Sequence, residues 1–507
     1  MAIQIYPVQK CDMQHDGYSV KINGQEVDLN VARVSAHPFN RRWPGHQRSL
    51  DQTELINFLS FATDEPVTLE IKPRDPFEKV IIRPMALGIE PEITEDGRII
   101  FTLPHPQYCT VEPYGRHNAL HIFADPVVDY GVDFNDPKTI YYGPGEHDVG
   151  LIELHEGETL YLDAGAVVYS RITAIDADNI RILGHGILDG SRNKAEILFE
   201  ASHETTGNFE AVKNCIRHDT VKIEYCDHVV IDGITIRDSC IYNIRPMGCY
   251  DLTCRNIKIV GNWRYNSDGI DMHNCDKVLI DGCFIRTFDD CICIKGFDCY
   301  YEGDVEQAVH DAMYRNGKSY DIFRDVLVKN CVIWNDWGKC LEIGAETRAT
   351  EMYDVLFTDC DIIHVLGNAL DCCNADFALV RDITYRNIRV EMNELIPGPK
   401  MQVHDTDVYG EPYPHFPPVI DADVTYWSEI SSKGEQRGIN RNILFEDIYV
   451  YGNFVPTFTF VGHNEKYGVE DVTVRNVYMN DKLLTDPSEY NMQIGPFCKN
   501  VKYEYTK

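Results

Sequence analysis

The sequence predicts an all-β protein, a parallel β-helix preceded by a small N-terminal β domain. Two observations support this fold: a strand-like segment recurs from residue 229 onward, and no such repeat occurs before residue 125. The chain has 507 residues, of which 44% are hydrophobic, so a long repetitive core can be buried.

The recurring segment alternates apolar and polar residues around a central Asp, Asn or Gly. Alternation with a period of two buries one face of a strand, and the central residue is expected to break the segment into two strands. Successive copies begin 23 and 26 residues apart, and later ones 29 and 28. These intervals match one coil of a parallel β-helix, whereas a leucine-rich repeat would need an L-x-x-L-x-L frame that is absent. The copies are 229–236, 252–259, 278–285, 326–333, 355–362, 383–390, 443–450 and 472–479, with 180–187 as an earlier member.

The repeat also predicts the domain organisation. We expect residues 1–125 to form an N-terminal β-rich domain and residues 126–507 to form the β-helix. Longer intervals between copies predict insertions near 299–322 and 393–440, the first with a short helix over 303–316. An insertion on a solenoid either covers a cleft or forms a plain surface loop, and the sequence leaves both possibilities open.

Composition restricts the partners and the compartment. The formal net charge is -33, which disfavours nucleic acid and anionic membranes and would oppose a polyanionic substrate outside a locally basic groove. The N-terminus lacks a basic region followed by an apolar run, and no stretch has the length of a membrane span. Most of the 18 cysteines sit in strand-like runs without zinc spacing, so we expect reduced core thiols rather than disulfides. A cytoplasmic protein of undetermined oligomeric state is the resulting expectation.

Three aspartates lie in two neighbouring repeats. Asp268 follows one strand, and the adjacent Asp289 and Asp290 follow the next, 21 and 22 residues later. Because this separation is close to one coil, all three carboxyl groups can meet on one face, provided that the chain bends at 289–290. Clustered carboxylates repel, so at least one pKa should rise, as an acid and base pair requires. Spacing alone also permits a bound cation or an acidic surface turn.

The motifs around these aspartates resemble a known family. Asn-Ser-Asp-Gly at 266–269 and Phe-Asp-Asp-Cys-Ile-Cys-Ile-Lys at 288–295 resemble the Asn-Thr-Asp and Asp-Asp motifs of the family 28 glycoside hydrolases, the polygalacturonase family. Tyr-Tyr-Gly-Pro-Gly-Glu-His at 141–147 is similar to the start of the helix in long bacterial members, and the likeness covers roughly 139–480. The resemblance implies a right-handed β-helix and, with the composition, a bacterial intracellular member.

The resemblance also implies roles. Asp289 would be the general acid that protonates the leaving oxygen, and Asp268 and Asp290 would hold and deprotonate the attacking water, with inversion and with neither cofactor nor metal. An oligosaccharide derived from pectin, or a related one, is the implied substrate, and the insertions favour an exo-acting enzyme.

Two departures from the family motifs concern the sugar. Lysine stands in place of the histidine of a Gly-His-Gly motif, at Gly338-Lys339-Cys340, and the basic Arg-Ile-Lys motif has no counterpart, the matching coil reading Gly-Asn-Ala-Leu-Asp-Cys-Cys at 367–373. Galacturonate specificity is therefore left open against a neutral sugar. The predicted substrate-binding residues are Asn266, Arg245, Lys295, Lys339, Glu342 and Glu346, with Trp263, Tyr265 and His273 as candidates for stacking on a sugar ring.

Two other classes of function stay open at this stage. One is a lyase or epimerase on a pectate-lyase-like β-helix, which would need calcium or a basic proton acceptor beside a uronate. The other is a non-catalytic sugar-binding β-helix. For each of the three basic residues predicted to bind the substrate, Arg245, Lys295 and Lys339, the alternative role is an ordinary ion pair within the protein.

Overall fold

The computed structural model describes most of the chain. The described residues are 3–10, 13–41, 48–193, 196–197, 215–216, 219–297, 313–392, 396–402, 404, 406–410, 413–427, 430–432 and 434–506. Within them the helical residues are three 3₁₀ turns, Leu50–Gln52, Met85–Leu87 and Pro487–Glu489, and a single α-helical residue, Met313, while the other regular elements are β-structure. None of the described residues belongs to a helix with the length and hydrophobicity of a membrane span.

The N-terminal part consists of two sheets. One joins β1-β6-β12-β11-β8 with β4 on β6, and the other joins β3-β2-β7-β10-β9. Their alternating apolar residues, such as Val67, Leu69 and Ile71 of one strand, pack into a shared core. The strands are β1 (Gln4–Ile5), β2 (Tyr18–Ile22), β3 (Gln25–Val27), β4 (Asn30–Ser35), β5 (Phe39–Arg41), β6 (Thr53–Thr63), β7 (Val67–Pro73), β8 (Ile81–Arg83), β9 (Glu92–Ile93), β10 (Ile99–Leu103), β11 (Gln107–Arg116) and β12 (Leu120–Pro126).

From Thr139 onward the chain winds into a right-handed parallel β-helix of 30 strands. Strands of equivalent position in neighbouring coils pair in parallel. The strands from this point to the C-terminus are β13 (Thr139–Tyr142), β14 (Gly145–Leu154), β15 (Thr159–Leu162), β16 (Ala166–Ile175), β17 (Arg181–Gly184), β18 (Ile187–Asp189), β19 (Glu196–Ile197), β20 (Cys215–Ile216), β21 (Val221–Glu224), β22 (Asp227–Asp232), β23 (Thr235–Arg237), β24 (Ile244–Met247), β25 (Tyr250–Arg255), β26 (Lys258–Val260), β27 (Ile270–His273), β28 (Asp276–Asp281), β29 (Phe284–Thr287), β30 (Ile292–Lys295), β31 (Tyr314–Arg315), β32 (Lys318–Ser319), β33 (Ile322–Lys329), β34 (Val332–Asn335), β35 (Leu341–Ile343), β36 (Glu351–Thr358), β37 (Asp361–His364), β38 (Leu370–Asn374), β39 (Leu379–Met392), β40 (Ile396–Pro397), β41 (Lys400–Gln402), β42 (Pro414–His415), β43 (Ile420–Val424), β44 (Ile439–Gly452), β45 (Thr457–Val461), β46 (Val469–Met479), β47 (Lys482–Leu483), β48 (Asn491–Ile494) and β49 (Cys498–Glu504). Seven of these lie outside the 30-stranded sheet, namely β19, β20, β31, β32, β40, β41 and β42, and β47 pairs antiparallel with β46.

The sequence repeats stack in register along this β-helix. Equivalent apolar residues pair coil after coil, so that each forms a continuous buried ladder with its neighbours. This arrangement confirms the predicted fold class. The ladder of first repeat positions runs through Val229, Leu252, Val278, Val326, Val355, Ile383, Ile443 and Val472.

The central Asp, Asn or Gly of each repeat adopts a left-handed backbone. Asparagine, aspartate and glycine tolerate positive φ better than other residues, which explains their choice at this corner. Early copies are split there into two strands, as predicted, whereas β39, β44 and β46 run through the corner without a break. The residues are Gly233, Asn256, Gly282, Asn330, Asp359, Asn387, Asp447 and Asn476.

Two predictions fall partly outside the described residues. Most of the helix predicted over 303–316 lies there; of its described residues, Met313 is α-helical and Tyr314–Arg315 form the strand β31. The domain boundaries, 1–125 and 126–507, stay a prediction.

A buried ion pair joins the N-terminal sheet to the β-helix. The ammonium of Lys258 lies 2.9 Å from both carboxyl oxygens of Asp125, which also accepts hydrogen bonds from Tyr6 and Tyr108. Both charged side chains are almost completely buried. The ammonium holds the pKa of Asp125 below its usual value against the effect of burial.

Lys258→Met is therefore expected to lower the free energy of unfolding by about 3–5 kcal/mol, because it leaves the Asp125 carboxylate buried without its partner. Thermal and denaturant unfolding would measure the loss. The double variant Lys258→Met/Asp125→Asn should regain much of it, since no uncompensated charge is left. An unchanged unfolding midpoint in the single variant would contradict the role of this pair.

Candidate active site

The stacking of coils brings Asp268 and Asp290 into equivalent positions. Ile270 of β27 pairs with Ile292 of β30, and the two aspartates lie two residues before them. The amide of Gly269 donates to the carbonyl of Asp290 at 2.8 Å and extends the ladder through the turn. The two carboxyl groups therefore lie one coil apart on the same face.

A single ammonium holds these two aspartates together. The Nζ atom of Lys295 lies 3.4 Å from Asp268 Oδ2 and 3.6 Å from Asp290 Oδ2. It also lies 2.9 Å from Asp271 Oδ2 and 3.7 Å from Glu346 Oε2, so it is surrounded by four carboxyl groups. Lys295 is 4% exposed, and its main electrostatic function is to compensate the buried negative charge around it.

Asp289 also faces the same cleft because the chain turns between β29 and β30. Its carbonyl accepts hydrogen bonds from Thr287 Oγ1 at 2.5 Å and from Asn335 Nδ2 at 2.9 Å, which fix the turn. The backbone amide of Lys339 donates to Asp290 Oδ1 at 2.8 Å. This bend places the side chains of both adjacent aspartates on one side of the strand path, as the sequence required.

The environments of the three aspartates move their pKa values in different directions. Burial, followed by the negative charge of Asp290, raises the pKa of Asp289 well above its usual value. Burial and Asp271 raise the pKa of Asp268. The pKa of Asp290 is lowered, because the charges of Lys295 and Lys339 and two hydrogen bonds outweigh its burial. Neighbouring carboxyl groups with pKa values moved apart provide one proton donor and one proton acceptor at the same pH.

A cleft of about 650 Å³ opens over these aspartates, a volume suited to a small ligand. The segments between β39 and β43 and between β43 and β44 line it, so the insertion predicted over 393–440, which the β-helix strand β43 divides in two, borders a cleft and is not a plain surface loop. The first segment contributes Pro399, His415, Pro417 and Pro418, the second contributes Trp427 and Ile430, and the rest of the β-helix contributes Tyr242, Asn266, Asp268, Asp289, Asp290, Lys295, Trp337, Gly338, Lys339, Glu342, Ala345, Glu346, Leu366, Gly367 and Asn368.

Five of the six predicted substrate-binding residues line this cleft: Asn266, Lys295, Lys339, Glu342 and Glu346.

The structure does not bring the sixth, Arg245, into the cleft. Its guanidinium donates to Asp219 at 2.6 Å and to Glu224 at 3.2 Å, in the coil on the N-terminal side. An ion pair within the β-helix, the alternative considered from the sequence, describes this residue.

The aromatic residues proposed for sugar stacking are buried elsewhere. Trp263 donates from Nε1 to Asp238 at 2.9 Å, and His273 Nδ1 lies 2.9 Å from the carbonyl oxygen of Gly296. Tyr265 is 7% exposed. The flat apolar surfaces of the cleft come instead from Trp337 and Trp427, which no repeat pattern identifies because they lie between the repeated strands.

One group of side chains in the cleft has the spacing of a metal site. Ligand atoms of Asp290, Cys293 and Glu342 lie within 4.8 Å of one another. Burial raises the pKa of Cys293 well above its usual value, and a protonated thiol is a poor ligand. Calcium and magnesium also prefer an all-oxygen environment. These three side chains therefore fit ion pairing with the neighbouring lysines better than binding of a metal cation.

Sequence reasoning did not single out two further residues of the site. Asp271 lies three residues after Asp268 and makes the shortest contact with Lys295. Gly338 packs directly on the turn of Asp289 and Asp290, since an added Cβ would lie 2.4 Å from Asp290 Oδ1 and 2.6 Å from the carbonyl carbon of Asp289. The glycine of the Gly338-Lys339-Cys340 segment was the available signal for this close approach.

Comparison with known sequences finds similarity to one family in the part of the chain that carries the site. Residues 162–394 match the model of the glycosyl hydrolases family 28, a stretch that is just under half of the chain and contains all three aspartates. Curated relatives are named polygalacturonase: one from Brassica napus is 28% identical over 217 residues, 40% of this chain and 50% of that protein. One from Gossypium barbadense is 28% identical over 118 residues, 23% of this chain and 27% of that protein. The chain thus spans half or less of the length of these relatives.

Solved structures agree with the architecture. Dex49A from Penicillium minioluteum superposes with a TM-score of 0.52 at 14% identity, covering 99% of this chain and 89% of that one. A hyperthermoactive exopolygalacturonase from Thermotoga maritima gives 0.49 at 15% identity, covering 68% and 85%. At such identities the first likeness supports the fold alone.

Gly338→Ala is expected to reduce turnover of a substrate by about 10²-fold, because the added methyl group must displace the turn of Asp289 and Asp290 by a fraction of an ångström or more. Steady-state kinetics would measure the loss. Gly410→Ala is the matched control, since no atom lies within 4 Å of its added Cβ. Full activity of the Gly338 variant would show that the turn tolerates this displacement.

Proposed function

We propose that this protein is an inverting, exo-acting glycoside hydrolase in which Asp289 is the general acid and Asp290 the general base. The observation that carries the proposal is the opposite direction of the pKa shifts of these two neighbours within one cleft. The match of residues 162–394 to the glycosyl hydrolases family 28 supports the reaction class. Pectin-derived or related oligosaccharides are the proposed substrates.

The proposed reaction uses the three carboxyl groups in a single displacement. The protonated Asp289 donates its proton to the glycosidic oxygen as the bond to the anomeric carbon breaks. The ionised Asp290 accepts a proton from a water molecule that attacks from the opposite face. Asp268 orients that water: its Oδ1 atom is buried and has no hydrogen-bond partner among the described residues, although its Oδ2 lies 3.4 Å from Lys295.

The exo mode is supported by how the insertion after β39 is held. Its strand β41 pairs in parallel with β5 of the N-terminal part, and the His37 ring stacks on that of Tyr409 with centroids 5.0 Å apart. Pro399 of this segment lines the cleft, as does Trp427 of the segment between β43 and β44. A wall anchored at two points on the N-terminal part restricts a groove that would otherwise be open, which favours binding of a chain end.

The experiment that tests this proposal is product analysis of oligosaccharide hydrolysis. Proton NMR taken at early times should show the anomer opposite to that of the substrate, and chromatography should show release of a constant small unit from the chain end. Retention of configuration, or a random ladder of internal fragments, would contradict the inverting or the exo assignment respectively. Unsaturated products that absorb in the ultraviolet would instead indicate a lyase.

Asp289→Asn should lower kcat by about 10²–10⁴-fold, because the amide cannot donate the catalytic proton. The wild-type pH profile should fall on its alkaline side as Asp289 loses its proton, at a pH raised by burial. On its acid side activity should persist below the usual pKa of an aspartate, because Asp290 stays ionised there. Steady-state rates across pH would check both limbs, and circular dichroism would confirm that the variant is folded. An unchanged alkaline limb in Asp289→Asn would contradict the assignment.

A cytoplasmic, bacterial origin is part of the same proposal. The 15 cysteines whose side chains the structure describes are free thiols, and all of these except Cys498 are buried. Buried reduced thiols are typical of a reducing compartment.

A further inference from the structure

The charges around the cleft bear on the chemistry of its ligand. Of the described residues that line it, five are acidic and two are basic, Lys295 and Lys339. The ring of His415, a further lining residue, has its pKa lowered by burial and bonds through Nε2 to the carbonyl oxygen of Leu366 at 3.0 Å. The positive charge available to a ligand therefore depends on the two lysines.

Both lysines are already neutralised by the protein. Lys339 Nζ lies 2.5 Å from Glu342 Oε1 and 3.0 Å from Asp371 Oδ2. Its ammonium has three donors, and the face left over lies against the Trp427 ring, 5.2 Å from the centroid. Lys295 is surrounded by four carboxyl groups. A ligand carboxylate would need a cation with spare donors, as a bidentate arginine supplies, and would here meet a surplus of negative charge.

The surplus of negative charge continues along the next coils of the β-helix. Register pairing places Glu342, Asp371 and Asp421 in one column, and the amide of Asn368 donates to Asp371 at 2.7 Å and to Asp421 at 3.2 Å. Burial and the neighbouring charge of Asp371 raise the pKa of Asp421 to about 8. The raised pKa reports a negative potential along this column of carboxyl groups, and the same potential would act against an anionic ligand.

The remaining polar and flat surfaces suit a sugar without charge. Carboxyl oxygens of Glu342 and Glu346 can accept hydrogen bonds from ring hydroxyl groups, and Asp268 Oδ1, buried in the cleft wall, lacks a hydrogen-bond partner among the described residues. Trp337 and Trp427 offer the apolar ring faces on which a sugar ring packs.

We infer that the subsite beside the catalytic aspartates binds a neutral sugar residue and discriminates against a uronic acid at the same position. The inference rests on the proposed function, and it names the substrate class of that site. An uncharged sugar linked within or next to an acidic polysaccharide fits it, provided that the ring placed in the cleft carries no carboxylate.

The test is calorimetric titration of the Asp289→Asn variant with matched pairs, D-galactose against D-galacturonate and D-glucose against D-glucuronate, at low and high salt. At least one neutral member should bind about tenfold or more tightly than its uronate, and the difference should shrink as salt screens the repulsion. A uronate that binds as tightly as its neutral partner, or the absence of binding by both neutral sugars, would overturn the inference.

A second variant tests the cause. Asp371→Asn removes one partner of Lys339, and the ratio of uronate to neutral affinity should rise by about tenfold. Asp219→Asn is the matched control: it also removes a carboxylate from a buried cation, Arg245, but outside the cleft, and should leave the ratio unchanged. Equal ratios in both variants would contradict the proposed role of Lys339.

The two proposals fail differently. Binding of a neutral sugar without hydrolysis of its glycosides by the wild-type protein would contradict the hydrolase proposal but not the neutral subsite. Hydrolysis of a uronide in preference to the neutral glycoside would contradict the neutral subsite but not the hydrolase proposal.

Discussion

The hydrogen bonds between successive coils are the constraint on which the site depends. Parallel strands keep equivalent residues about 4.8 Å apart, so any two side chains one coil apart in sequence must be neighbours in space. Asp268 and Asp290 meet because Ile270 pairs with Ile292 and because the ladder continues through Gly269. A coil longer or shorter by one residue would turn one of these side chains away from the other.

The same stacking creates an electrostatic difficulty. A parallel ladder places like residues on like residues, and carboxylates stacked in this way cannot all be ionised without a counter-charge. Lys295 and Lys339 provide it, each in contact with two or more carboxyl groups. At Asp290 the charges of these lysines, together with two hydrogen bonds, outweigh burial and lower the pKa, whereas at Asp289 burial and the charge of Asp290 outweigh the lysines and raise it. The lysines therefore tune the aspartates, and they hold little charge in reserve for a ligand.

The repeating part of the molecule was predictable from sequence because its rule is local. Alternating apolar residues, a left-handed Asp, Asn or Gly corner and a coil length near 22 residues suffice to stack Asp268 on Asp290. Arg245 shows where this rule fails. It lies in the expected coil, but its guanidinium donates to the carboxylate of Asp219 and does not face the cleft. Pro399 shows another, since it reaches the cleft from a segment that pairs with β5, about 360 residues earlier in the chain. A contact between such distant segments produces no periodic pattern in the sequence.

Chemistry and selectivity thus come from different parts of the chain. The coils supply the three aspartates and their counter-charges, and their geometry is imposed by the β-helix itself. A solenoid face is an open groove along which a polymer can slide, so closing it requires segments that break the repeat. Here the segments before and after β43 supply that wall, and the N-terminal part of the chain holds the first of them through β5 and through the ring of His37. Because Trp427, in the second segment, lies against Lys339, the residues that close the groove also cover the last open face of its second cation.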